Sequence, residues 1–103
     1  MTEAQFQQQI IAMARLLGWR VYHTHDSRRS EPGFPDLTLV RDRIVFLEVK
    51  TETGRLSPEQ ADWIAAINAA GGAALVVRPS MWDEIVHALR RRVPPIQSGE
   101  VAA

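Results

Sequence analysis

Two runs of strong β-formers, Asp36-Leu-Thr-Leu-Val40 and Ile44-Val-Phe-Leu-Glu-Val-Lys50, are separated by only three residues, Arg41-Asp42-Arg43. A polar break that short points to an antiparallel hairpin. A three-residue connection pairs Val40 with Ile44 and Leu37 with Leu47, and it lands Asp36 opposite Glu48. Directly opposed side chains have Cβ atoms about 4.5–5.5 Å apart. Glu48 and Lys50 are two residues apart on one strand and so share a face. This register gathers two carboxylates and an ammonium. A two-residue turn slips the pairing by one and scatters them.

The ammonium is singular. Lys50 is the one lysine in a chain that has eleven arginines. A lysine head is a compact charge whose pKa moves on desolvation, whereas arginine stays protonated. Acids opposed across strands cost stability, and near a sheet centre they cost more unless paired or bound to metal. Taken singly, each residue has a plain explanation: Asp36 caps a turn after Pro35, and Glu48 with Lys50 forms a strand-end ion pair in water. Taken together, they fit a divalent cation site. Mg²⁺ prefers oxygen ligands, typically one or two carboxylates with waters and phosphate oxygens. Asp36 and Glu48 supply the carboxylates, and the Val49 carbonyl between Glu48 and Lys50 offers a third ligand. Such a cation makes a water a better nucleophile and neutralises charge on a phosphodiester. Lys50 is placed to position or deprotonate that water, or to stabilise the charge that develops.

Helices and strands flank the hairpin. Thr2-Glu-Ala-Gln5 reads as a capping box, followed by Phe6, Ile10, Met13 and Leu17 at helical spacing, with Gly18 ending the run. Glu3 shares the core-facing stripe. Arg20 to His25 is expected as a strand, and Asp26 to Pro35 as a loop rich in turn formers. The segment Ile44 to Lys50 is nearly all apolar and is expected to be buried on both faces. Ser57-Pro58-Glu59-Gln60 opens a second helix through another capping box with proline in its first turn; Trp63, Ile64 and Ile67 form its stripe. Ala73 to Arg78 is a short strand. Pro79-Ser80 leads into a third helix with Trp82, Ile85, Val86 and Leu89 on one face and Arg90-Arg91-Arg92 at its end, where cations suit the macrodipole. The order α-β-β-β-α-β-α defines an α/β domain with a small mixed sheet flanked by helices. Residues 1–92 form one domain, and 93–103 are expected to be a disordered tail.

Composition narrows the class. A chain of 103 residues holds one small domain and buries a modest share of its surface, so a homodimer is expected. With no cysteine, disulfides and thiolate metal sites are excluded. No apolar run is long enough to span a bilayer and the N-terminus is not signal-like, which places the expected protein in the cytoplasm with no membrane partner. The formal net charge is zero, which argues against a nonspecific polycation but not against a local basic patch.

Pro35-Asp36 followed by Glu48-Val49-Lys50 resembles the PD-(D/E)xK nuclease superfamily. Glu3 in the first helix, Gly33-Phe-Pro-Asp36, Glu48-Val-Lys50 and Leu56-Ser-Pro-Glu-Gln60 before Trp63 resemble its VRR-NUC branch, over residues 3 to about 80. In particular the chain is similar to the compact stand-alone forms of phages and bacteria. The resemblance implies a restriction-endonuclease-like core and a Mg²⁺- or Mn²⁺-dependent endonuclease. Asp36 and Glu48 are then metal ligands, Lys50 the catalytic lysine, and Glu3 and Gln60 the accessory acid and glutamine. It also implies a homodimer that resembles Holliday-junction resolvases and acts on branched DNA. A nicking or restriction-like subunit that needs a partner is the second reading, and a non-catalytic nucleic-acid-binding module the third.

Phosphate contacts are expected from Arg28 and Arg29, in the loop that leads to Asp36, and from Arg55, in the loop that leaves Lys50. The Arg90–Arg92 run reads as a helix-end feature. His23 and His25 alone make a weak metal site, and the three tryptophans read as packing or dimer interface.

Overall fold

The hairpin forms in the three-residue register. In the computed structural model, which describes residues 1–25 and 31–94, β2 (Leu37–Val40) and β3 (Ile44–Val49) run antiparallel, with Leu37 opposite Leu47 and Val40 opposite Ile44. On the outer side of β2 lies β1 (Arg20–His23), antiparallel, with His23 opposite Leu37. On the other side of β3 lies β4 (Ala74–Val77), parallel, with Val49 beside Val77. The sheet order is therefore β1-β2-β3-β4. Among the described residues three helices complete the domain: α1 (Glu3–Leu16), α2 (Pro58–Ala69) and α3 (Trp82–Arg90), the last preceded by a short 3-10 turn, Pro79–Met81. This is the element order read from the sequence. The part of the expected tail from residue 95 onward lies outside the described residues.

The strands are shorter than the sequence suggests. β1 stops at His23 rather than His25, although the Thr24 N–H still donates to the Asp36 carbonyl at 2.8 Å. Lys50 lies beyond the end of β3 and keeps the ladder only through its N–H to the Val77 carbonyl at 3.0 Å. β3 is not buried on both faces throughout, because Ile44 is 53% exposed.

Both expected capping boxes form. In α1 the Thr2 hydroxyl accepts from the Gln5 N–H and the Gln5 side chain accepts from the Thr2 N–H; Ser57 and Gln60 do the same at α2. The buried face of α1 is Phe6, Ile10, Ile11 and Ala14, with Met13 and Leu17 packed at its margin. Gly18, at φ +89°, turns the chain out of α1, a conformation glycine adopts without penalty.

One continuous core joins α1 and α3 to the sheet face that carries Leu37, Leu39, Val45, Leu47, Val49 and Val77. The opposite face carries Phe46 and Glu48. There α2 docks through Phe34, whose ring meets Phe46 and Trp63 edge-on at centroid distances of 5.8 and 5.1 Å. No residue of α2 is fully buried, so its Trp63, Ile64 and Ile67 stripe is only half covered.

The Arg41-Asp42-Arg43 turn does more than reverse the chain. Both guanidiniums stack on the buried Trp19 ring, at 4.4 and 5.0 Å from its centroid. They donate to carbonyls that end two helices: Arg41 to Leu17 and Arg91, Arg43 to Ala88 and Arg91. Trp19 itself donates to the Leu89 carbonyl at 2.9 Å. Asp42 holds the two arginines in place at 2.6 and 2.9 Å and accepts from the Val93 N–H at 2.8 Å. Burial works to raise the Asp42 pKa, but the hydrogen bonds from Val93, Arg41 and Arg43 outweigh it and hold the carboxyl well below its usual range.

A folded-state pKa held below the unfolded value adds stability that is complete above the ordinary aspartate value of 3.8 and is lost as pH falls further. Asp42→Asn is therefore expected to lower the thermal midpoint at neutral pH, by a deficit that shrinks progressively below about pH 4. Circular dichroism melts across that range check both statements.

Candidate active site

The register decides the geometry of the site. One step beyond Leu37–Leu47, Asp36 falls opposite Glu48. The Asp36 side chain also reaches along the strand, and its Oδ2 accepts from the Val49 N–H at 2.8 Å. The β3 amides of Phe46 and Lys50 bond toward β4, so those of the alternate residues, Val49 included, face β2. The ladder would next bring residue 35 opposite Val49. That residue is Pro35, which has no N–H to donate. Proline thus leaves the Val49 carbonyl without a ladder donor at the point where the carboxylates converge.

Asp36 is positioned from behind. Gly33 sits at φ +91°, and a Cβ there would lie 2.5–2.8 Å from backbone atoms of Glu59 and Gln60. The loop before Asp36 can therefore lie against the first turn of α2 only with glycine at this point. Trp63 adds a hydrogen bond from its indole N–H to the Pro32 carbonyl at 3.1 Å, and Pro35 is fully buried.

Glu48 is the unusual group. It is 1% exposed, and neither carboxylate oxygen has a hydrogen-bond partner. Burial pushes its pKa far above the ordinary glutamate range. The adjacent Asp36 carboxyl pushes it further. Lys50 pulls the other way and Glu3 adds a further upward push. Lys50 acts at a distance, since the direct ion pairs among the described residues are those of Asp42 with Arg41 and Arg43. Burial and the neighbouring acid thus favour the protonated form of Glu48 over the carboxylate. Among the described residues no three His, Asp or Glu side chains form a cage for an ion. The donors present are two carboxylates and a backbone carbonyl, a set that suits a hydrated Mg²⁺ or Mn²⁺ rather than a zinc cage.

The remaining expected residues fall in different places. Glu3 is exposed rather than core-facing, yet its charge still reaches Glu48. Gln60 commits its side-chain oxygen to the Ser57 N–H at 2.9 Å and makes no hydrogen bond to Asp36, Glu48 or Lys50; its amide NH₂ is what remains for any other partner. Arg55 is exposed in the loop after Lys50. Arg28 and Arg29 lie outside the described residues. His23 pairs with the Gln7 side chain at 2.9 Å. Trp19 and Trp63 serve packing, as does Trp82, whose ring sits 6.5 Å from that of Phe6.

Sequence reasoning missed Arg78. Its Nη1 donates to the carbonyls of Thr51, Glu52 and Gly54 at 2.6, 3.2 and 2.7 Å. Glu52 in turn accepts from the Ser80 N–H and hydroxyl. Together these bonds fix the loop that leaves Lys50. The signal was present in the parallel register, which sets the residue after Val77 beside Lys50.

A mixed four-stranded sheet with helices on both faces, and with paired acids and a lysine at the end of its central hairpin, is a restriction-endonuclease-like α/β domain. The sequence model of the VRR-NUC domain matches residues 2–81, and the chain belongs to the VRR-NUC family. It is therefore a nuclease-type enzyme that acts on DNA, in a family that is usually metal-dependent. No curated protein and no solved structure matches the chain.

A carboxyl whose folded pKa lies above its unfolded value destabilises the fold as pH rises above the ordinary glutamate value of 4.5. In chelator, Glu48→Gln is expected to raise the melting temperature at about pH 8 by about 4–8 °C, the change that about 1 kcal/mol makes in a domain of this size. The gain should vanish below about pH 4.5, which melts at both pH values will test.

Proposed function

We propose that this chain is a Mg²⁺- or Mn²⁺-dependent endodeoxyribonuclease that cuts branched DNA, four-way junctions foremost, as a homodimer. The observation that carries the reading is the buried, unpartnered Glu48 carboxylate opposite Asp36 on a nuclease-family scaffold. Asp36, Glu48 and the Val49 carbonyl are the groups that would hold the cation. When bound, such an ion activates a water and neutralises charge on the scissile phosphate.

The chain's own residues do the rest. The Val49 N–H fixes the Asp36 carboxylate. Lys50, on the same face as Glu48, positions or deprotonates the attacking water and steadies charge on the phosphate. Glu3 and the Gln60 amide act as accessory groups at the start of their helices. Arg55, exposed after Lys50, contacts the DNA backbone, as do Arg28 and Arg29 in this reading.

An exposed apolar strip supports the dimer. Tyr22, Val40 and Ile44 are 66%, 39% and 53% exposed, and the register sets all three on the face that carries Glu48. A two-fold pair built on that face would cover them and present two sites for paired incisions across a junction.

The test is cleavage of a four-way junction and of linear duplex, with Mg²⁺ or with chelator, by wild type, Asp36→Ala and Lys50→Ala. Wild type should prefer the junction and need metal. Each variant should lose about 100-fold or more of the rate, and Lys50→Ala should keep DNA binding. Equal cutting of every substrate would remove the junction preference, and cutting only at one base sequence would favour the restriction-like reading. Normal cutting by Lys50→Ala would overturn the role given to the lysine. Sedimentation should give twice the chain mass for wild type and a shift toward monomer for Ile44→Asp.

A further inference from the structure

Glu48 is not alone in lacking a partner. Among the described residues three buried side-chain oxygens make no hydrogen bond: the two of Glu48 and the Thr24 hydroxyl. The two residues are far apart in sequence, but the sheet puts them in line. One step beyond His23–Leu37, Thr24 falls opposite Asp36, and its N–H donates to the Asp36 carbonyl at 2.8 Å. Asp36 in turn falls opposite Glu48. Directly opposed residues share a face, so Thr24 and Asp36, each one residue beyond its strand, extend the row of Glu48.

We infer that Thr24 belongs to the cation site, its hydroxyl holding a water ligand of the ion bound by Asp36 and Glu48. The inference rests on the metal-dependent reading above. Spacing sets the kind of contact. Strands lie about 4.8 Å apart, which puts Thr24 one strand from Asp36 and about 9.6 Å from Glu48. A hydroxyl two strands away cannot bond the Glu48 carboxylate. It is also too distant for direct ligation at about 2.1 Å to an ion held between Asp36 and Glu48. A water in the ion's shell extends its reach toward Thr24 by a hydrogen bond of about 2.8 Å. One hydrated cation then satisfies all three orphaned oxygens. A valine is nearly the same shape as threonine, so a hydroxyl left unpaired here marks a partner that the protein itself does not supply.

Calorimetric titration with Mn²⁺ alone, on wild type, Thr24→Val, Thr24→Ser and Glu48→Gln, tests this. Wild type should bind and Glu48→Gln should not. Thr24→Val should bind about 10-fold more weakly, the effect expected of an outer-shell partner, and Thr24→Ser should bind like wild type. In chelator Thr24→Val should melt at the wild-type temperature or above it, since it loses only an unpaired hydroxyl; a purely structural threonine would make it melt lower. If Thr24→Val binds Mn²⁺ like wild type while Glu48→Gln does not, the role of Thr24 is overturned and the metal site stands. If wild type binds no Mn²⁺, both fall.

Discussion

A carboxylate taken out of water without a partner costs a small domain heavily, and Glu48 is such a group, set beside a second acid. Much of the surrounding structure keeps that pair together. β3 is flanked by β2 and β4, so the backbone at position 48 is paired while its side chain is sealed under neighbouring groups. The fold accepts an arrangement that its own stability opposes. The cation proposed for this row would give the burial a purpose, because removal from water strengthens interactions between charges.

The hairpin is pinned at both ends by different means. At the turn, Arg41 and Arg43 stack on Trp19 and cap helix ends, with Asp42 clamped between them. At the open end, Gly33 lets the loop press against α2, Trp63 bonds to Pro32, and Pro35 withholds an N–H from Val49. These two anchorages leave the register little freedom to slip, and a slip of one residue would turn Asp36 to the other face. On the far side of β3, Arg78 fixes the loop that follows Lys50. The Asp36 carboxylate is thus held by a backbone amide, and the loop after Lys50 by its own carbonyls.

Much of this was legible in the sequence because it depends on short-range rules. The three-residue gap between Val40 and Ile44 gave the hairpin register, and Thr2 to Gln5 and Ser57 to Gln60 gave two helix starts to the residue. The Asp36–Glu48 juxtaposition followed from the hairpin alone. What was hidden depends on tertiary contact. The α1 face is shifted to Ile11 and Ala14 by packing against the sheet and α3, which its own periodicity does not encode. The half-covered α2 stripe reflects what the sheet face opposite it exposes. Arg41 and Arg43 read as a polar break because the helix ends they cap are distant in the chain. Arg78 and Thr24 became visible only when β4 and β1 took their places beside the hairpin, so that residues from four segments stood in one neighbourhood.

The proposed site requires a divalent ion in the row of Asp36 and Glu48. Anomalous diffraction from crystals grown with Mn²⁺ would locate it directly. The expected peak lies between Asp36 and Glu48, at about 2.1–2.2 Å from their carboxylate oxygens and from the Val49 carbonyl. Crystals that contain Mn²⁺ but show no peak in that row, with Glu48 still buried and without a partner, would contradict it.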